Sequence, residues 1–482
     1  MKRCIDDLHM CGFRVRGLVT DNHSSNVGAF KVLLKSYPGD LETNFQLPDA
    51  ENKTYVFFDT VHLVKNIRNN LLNSKKFVFP GFKFEVSDTI LESNEGYISW
   101  HDIHRIYDKD ITLTANLRKA PKLSYNALHP GNNKQNVGLA LAVFDEKTIA
   151  ACMSYFPTRK DMAAFLKLIS TWWIIANSNR RYNSYRLANA IEHGDGKIQF
   201  YKELAQWIEE WSKCPCFCLS KQTANAFILT LRSQAKLIED LLSEGFSFVL
   251  TRRFQSDPLE NRFSQYRSLS GGRFLVSLRE VQSSERVLTC RSLLKAGVNY
   301  WKEEAANLHD DTTDIVDFLE KLEDHEGELF EVALEDDSIE VAELVAGYIA
   351  RKLLKNACND CYSHLISNKN ISEANYLQII SRGGLITPSK SLASMVSCLF
   401  AQAEYINSFI DGTNVWKFSR SALEKYAPEE DISCAFHRER NRKKIISIVI
   451  NCFYNNMQKR SADGVRKEGI SEFKKRQRRK DE

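Results

Sequence analysis

Phe13-Arg14-Val15-Arg16-Gly17-Leu18-Val19-Thr20-Asp21 and Tyr55-Val56-Phe57-Phe58-Asp59 are two apolar runs that each stop at an aspartate. Both have the composition of strands, and each leads into a helical pattern. After the first, residues 27–36, with apolar Val27, Ala29, Phe30, Val32, Leu33 and Leu34, return as a helix; after the second come Val61, Leu63, Ile67 and Leu71. Upstream, residues 4–11 have helical spacing, and Gly12 suits a C-terminal stop. This alternation predicts α/β layering, with carboxylates at the carboxyl ends of strands, where open sheets place their sites.

Beyond the second helix the period changes. From about 84 to 244 the pattern is mainly helical, with apolar recurrence at i, i+3, i+4 over 139–144, 163–176 and 224–242. Residues 246–250 form a short apolar strand candidate, and Asp257-Pro258-Leu259-Glu260 follows. Pro258 suits a first helical turn, which puts Asp257 near the cap and Glu260 one turn in, so that both carboxylates can face one site. Between 310 and 343 stand fifteen Asp/Glu against one basic residue, Lys321. A block this acidic repels itself; with Phe318, Leu322 and Leu329 interleaved, it reads as a solvated helical linker with a weak apolar stripe, or as a tail that docks on a basic surface.

Of 482 residues, 43% are hydrophobic and 26% charged, which excludes disorder as the dominant state. No apolar run is long enough to suggest a membrane span, and Asp6 and Asp7 stand where a signal peptide needs its apolar core. Twelve cysteines are too sparse for a disulfide scaffold, and most read as thiols. The formal charge is +5, and the run Lys474-Lys475-Arg476-Gln477-Arg478-Arg479-Lys480 concentrates it at the end of the chain, as a nuclear import signal or phosphate-tracking tail would. A second basic cluster spans 438–444, and His62, Lys65 and Arg68 at helical spacing could face a DNA backbone.

Asp21, Asp59, Asp257 and Glu260 could together hold a hard divalent cation, since Mg²⁺ or Mn²⁺ prefers oxygen ligands and two such ions can drive phosphoryl transfer. Taken one by one, an aspartate at a strand end reads equally as a helix cap. Cys358-x-x-Cys361 and Cys434-x-x-His437 each have the gap that lets one turn present two ligands to Zn²⁺; the four together could close one structural site, or each is an ordinary reduced pair. Cys214, Cys216 and Cys218, with one-residue gaps, read as thiols.

Five ordered segments resemble the P-element-type transposases and their THAP-domain relatives. They are Val19-Thr20-Asp21-Asn22-His23-Ser24-Ser25-Asn26; residues 58–70, beginning Phe58-Asp59-Thr60-Val61-His62; residues 255–264 with Gly271-Gly272; Val345-Ala346-Gly347-Tyr348-Ile349-Ala350-Arg351-Lys352; and Ser381-Arg382-Gly383-Gly384-Leu385-Ile386-Thr387-Pro388-Ser389. The resemblance implies an α/β RNase H-like core, N-terminally incomplete, split by a mainly α-helical insertion domain and followed by an α-helical C-terminal region. The implied boundaries are 1–83 and 246–300 for the core, 84–245 for a GTP-binding-like insertion, 301–344 for the acidic linker and 345–482 for the C-terminal region with its basic tail. It also implies catalytic roles for Asp21, Glu260, Asp257 and Asp59, with Asp21 and Glu260 on Mg²⁺ or Mn²⁺.

Implied partners are transposon-end and target DNA in the nucleus, with a homo-oligomer open and no membrane. GTP rests on the resemblance alone: there is no Gly-x-x-x-x-Gly-Lys-Ser/Thr loop, and Lys160, Asp161 and Asn177 read equally as surface residues. Asp21 takes the family's second acidic position, and the strand that should carry the first, like the THAP zinc module, is expected to be missing. The expected function is therefore DNA cleavage and strand transfer by an acidic metal site, inactive as written, or the role of a domesticated, noncatalytic nuclear protein that binds DNA or protein.

Overall fold

The computed structural model describes residues 2–37, 42–48, 50, 52–74, 76–272, 275–295, 313–367, 386–410 and 415–481. Residues 381–385 of the fifth segment, residues 296–312 and the side chains of the basic tail lie outside that description.

The two aspartate-ended runs are strands. Gly17–Thr20 (β1) pairs in parallel with Thr54–Phe58 (β3), with Thr20 opposite Phe58, while the two-residue strand Asn44–Phe45 (β2) adds antiparallel to the far edge of β3. Parallel register brings Asp21 and Asp59 out at the same end, and the Asp59 amide donates to the Thr20 carbonyl at 2.8 Å. Every residue of β3 is buried, as a strand covered on both faces must be. Helix Lys221–Ser243 covers one face: Leu237 packs with Tyr55 and Phe57, and Thr230 Oγ1 accepts from the Phe58 amide at 3.0 Å.

Four strands stand at the boundary of the region expected to be mainly helical, the last two of them wholly within it. Lys76–Phe79 (β4) pairs antiparallel with Gly96–Ser99 (β7), and Phe82–Val86 (β5) forms a hairpin with Thr89–Ser93 (β6). β5 alternates as a half-buried strand does: Phe82, Phe84 and Val86 are buried while Lys83 and Glu85 between them are exposed. From Trp100 onward helices do dominate, and the expected helices are present as Val137–Val143, Lys160–Ala176 and Lys221–Ser243. Residues 246–250 do not form the expected strand; they contribute a single bridge, Val249 to Ile191, and Phe246 is 55% exposed. One continuous core runs from Ile5 to Val249, so the sheet and the helical region share a single apolar interior.

A second core gathers the C-terminal helices. The acidic stretch, read from its charge as a solvated linker, is helical over Thr313–Glu323 and Glu326–Glu331 and buries Phe318, Leu322, Leu329 and Leu334 there. Glu320, Glu323, Asp324, Glu326, Glu328 and Glu331 are exposed while a sparse apolar stripe supplies the packing. Helices Asp336–Leu354, Asn359–Leu365, Lys390–Asn407 and Val415–Tyr426 and the first turns of Arg438–Asp481 complete it. Leu113, Ala115 and Leu117, from the first half of the chain, insert into the same core. Among the described residues no helix is long and apolar enough to cross a membrane.

Gly347 shows why a glycine sits mid-helix in Asp336–Leu354: a Cβ there would lie 2.5 Å from the carbonyl oxygen of Ile386. Helix propensity alone favours alanine by about 1 kcal/mol, but here the crossing backbone cannot yield cheaply. Gly347→Ala is expected to lower stability by roughly 1–3 kcal/mol, as overpacking does. An unchanged thermal midpoint would contradict this close crossing.

Candidate active site

Asp59 closes β3, is fully buried, and caps helix Thr60–Ser74 by accepting from the Val61 amide at 2.9 Å. Three residues on, one helical turn along the same face, stands His62. The third component arrives from far along the chain. Gln255 donates to Thr60 Oγ1 at 3.0 Å and to the Ala176 carbonyl at 3.1 Å, fixing the start of helix Asp257–Leu269 against the start of Thr60–Ser74. Ser256 then donates to Asp59 Oδ2 and also lies 3.3 Å from Glu260 Oε1. Pro258 sits in the first turn as the sequence predicts, and His62 Nε2 lies 3.4 Å from Glu260 Oε1.

One ligand atom each from Asp59, His62 and Glu260 fall within 4.8 Å of one another. Six-coordinate Mg²⁺ with ligands at about 2.0–2.1 Å spans about 4 Å between opposite oxygens. Glu260, whose side chain is more than half exposed, can close the small difference by rotation. Two hard carboxylates suit Mg²⁺ or Mn²⁺, and the imidazole tilts the set toward Mn²⁺. The donors therefore fit a divalent cation.

The charged groups around this set interact strongly. Asp257 is held above the usual carboxylate range, first by burial and then by the neighbouring Asp59 and Glu260, with Arg252 at 3.7 Å pulling the other way. Lys65, nearly buried, is held below the usual lysine range because burial outweighs the pull of Glu260, Asp59, Asp21 and Asp257. Four carboxylates thus act on one buried ammonium.

The sequence-predicted residues do not all play equal parts. Asp59 and Glu260 meet, and Asp257 stands beside them. Asp21, expected on the metal with Glu260, is outside the group of converging ligand atoms; its Oδ1 accepts from the His23 amide at 3.1 Å and from Asn26 Nδ2 at 2.7 Å. His62 was expected to face DNA, and its i+3 spacing from Asp59 was the signal for a role in the site. Lys65 and Arg68, expected beside it on a DNA-facing surface, are buried, so that helix face turns inward.

The nucleotide candidates do not converge on a phosphate site. Asp161 is bound to Arg159 at 3.0 Å and to the Tyr97 amide at 3.1 Å, Lys160 is exposed, and Asn177 ends helix Lys160–Ala176. The cleft of about 600 Å³ between the β5–β6 turn and residues 181–197 has three cations in its lining, each already paired: Arg181 with Glu192, Arg186 with Asp88 and Lys197 with Asp195. Cys358, Cys361, Cys434 and His437 do converge, in the second core.

No curated protein matches this chain. Among solved structures it is similar to the Drosophila P element transposase strand transfer complex, at 20% identity and a TM-score of 0.48, over 60% of this chain and 63% of that one. It thus spans less than two thirds of that protein. Residues 332–417 match the family model described as DNA transposase THAP9, C-terminal domain, and two of the five resembling segments, 345–352 and 381–389, fall inside the match. Over residues 332–417, then, the chain is similar to the C-terminal domain of a DNA transposase.

Proposed function

We propose that this chain performs, or derives from a protein that performs, metal-dependent cleavage and strand transfer of DNA, with Asp59, Glu260 and His62 holding the cation and Asp257 and Asp21 as flanking carboxylates. The observation that carries this reading is the meeting of Asp59 and Glu260, residues 201 positions apart in sequence, through the shared Ser256 hydroxyl. A bound divalent ion supplies Lewis-acid polarisation of a phosphoryl oxygen and a more acidic water. The chain's own residues orient it: Ser256 fixes the Asp59 carboxylate, Gln255 fixes Ser256, and Lys65 offsets the excess negative charge. In this reading the partners are transposon-end and target DNA in the nucleus, and a homo-oligomer would bring two ends together. Exposed Arg438, Arg440 and Lys443 support phosphate contact. GTP enters by resemblance alone.

The test is nicking of supercoiled DNA by the full chain in Mg²⁺ or Mn²⁺, compared with chelator. Cation-dependent nicking is the expected result. DNA binding without nicking in any cation would favour the second reading, a noncatalytic DNA- or protein-binding descendant. The local capture of Asp21 speaks for that alternative, since it leaves two carboxylates rather than three within ligand reach.

Cation binding also has a signature independent of DNA. A ligand present at about 100 times its Kd and bound only to the native state adds about 2.7 kcal/mol, so Mn²⁺ is expected to raise the melting temperature. Glu260→Gln, at an exposed side chain, should melt like the parent without Mn²⁺ and show no increment with it. An equal increment in both proteins would remove Glu260 from the site.

A further inference from the structure

We propose that Cys358, Cys361, Cys434 and His437 form a closed structural zinc site that pins the start of the long C-terminal helix to the rest of the second core. The inference is independent of the acidic site and of any reaction there. The two halves lie 76 residues apart between Cys358 and Cys434, yet their ligand atoms meet: Cys358 Sγ to Cys434 Sγ is 3.7 Å and Cys361 Sγ to Cys434 Sγ is 3.4 Å. His437 Nδ1 lies 3.6 Å from Cys358 Sγ, 3.6 Å from Cys361 Sγ and 3.3 Å from Cys434 Sγ.

These separations are the edges of a coordination tetrahedron. With Zn–S near 2.3 Å and Zn–N near 2.0–2.1 Å, tetrahedral geometry requires S···S edges of about 3.8 Å and S···N edges of about 3.5 Å. The observed edges lie within a few tenths of an ångström of both. They are too long for a disulfide, whose sulfurs are about 2.05 Å apart. A general apolar cluster of thiols has no reason to place an imidazole nitrogen at similar distances from three sulfurs.

Local structure presents the ligands in pairs. Cys358 precedes helix Asn359–Leu365, and Cys361 lies in its first turn, fully buried. The His437 amide bonds to the Cys434 carbonyl at 3.1 Å, closing a tight turn just before helix Arg438–Asp481. An outer layer supports the sulfurs: Ser433 Oγ is 3.0 Å from Cys361 Sγ and accepts from Asn441 Nδ2 at 2.8 Å. Such partners orient ligands and tune a metal. Three soft thiolates and one imidazole select Zn²⁺ over Mg²⁺ or Mn²⁺, and four protein ligands leave no position for substrate, so the role is structural. The first ligand pair lies inside the transposase-family match at 332–417 and the second lies beyond it, so the site extends that unit to His437.

The test uses the full chain, purified under reducing conditions without chelator. Elemental analysis is expected to find one zinc per chain, and replacement by Co²⁺ should give thiolate-to-cobalt charge transfer with the strong visible absorption of a tetrahedral site. Cys434→Ser should lose the metal. His437→Cys should keep it and intensify the charge-transfer band, which separates loss of a ligand from loss of the fold. A folded parent chain without zinc, a Co²⁺ spectrum lacking the thiolate band, or a Cys361–Cys434 disulfide in the unreduced mass would each overturn the proposal.

Discussion

Asp59→Asn is expected to abolish cation-dependent DNA nicking while leaving the fold nearly intact. Asparagine caps a helix about as well as aspartate, so the bond from the Val61 amide survives, and the Ser256 hydroxyl can turn to accept from the new amide. What disappears is the charge that draws a divalent ion to the end of β3. Loss of an outer partner alone costs about 10–100-fold in metal affinity or activity, so loss of this ligand should cost at least about 100-fold in nicking rate. Asp59→Ala adds the loss of the cap, about 1 kcal/mol, and is the poorer probe. A purified Asp59→Asn protein that nicks at the parent rate would show that this carboxylate takes no part in the reaction.

The largest stability effect is expected elsewhere, where the first half of the chain reaches into the second core. Asp110, at the end of helix Trp100–Asp110, is fully buried and accepts from Arg118 Nε at 3.1 Å, the Lys119 amide at 2.6 Å, the Ala120 amide at 3.0 Å and Tyr155 Oη at 2.9 Å. These bonds shape the turn that delivers Leu113, Ala115 and Leu117 to the second core and aims Lys119 at Asp337 and Glu340, each at 2.6 Å. Removing one member of a buried ion pair strands the other, at a cost of about 3–5 kcal/mol. Asp110→Ala should lose that much in urea denaturation followed by tryptophan fluorescence. A loss below about 1 kcal/mol would mean that Arg118 finds water or another partner once Asp110 is gone.

What the sequence revealed, and what it hid, follows from which signals are local. β1 and β3 are legible because each is an apolar run ended by an aspartate, and Pro258 locates the start of helix Asp257–Leu269. β2, at two residues, carries no pattern. β4 to β7 carry one, but their short alternating runs are overshadowed by the longer helical periods after them. The acidic stretch misleads because charge count dominates a thin stripe of Phe318, Leu322 and Leu329 that suffices to pack it. In the site, Asp59 and Asp257 near cap positions and Glu260 one turn in were legible, while the role of Ser256 and the inward turn of Lys65 depend on tertiary packing. The two half-sites were likewise visible by spacing, which left open whether they join across 76 residues; only the tertiary packing brings them together.

The most direct measurement is a Mn²⁺ titration of the full chain, supplied first with zinc to saturate the cysteine quartet, with free Mn²⁺ read by electron paramagnetic resonance. Parent, Asp59→Asn and Glu260→Gln proteins are compared side by side. Saturable Mn²⁺ binding in the parent, weakened about 100-fold or more in both variants as loss of a metal ligand requires, is the predicted result. Equal binding in all three would contradict the assignment of the Asp59–Glu260 pair as the metal site.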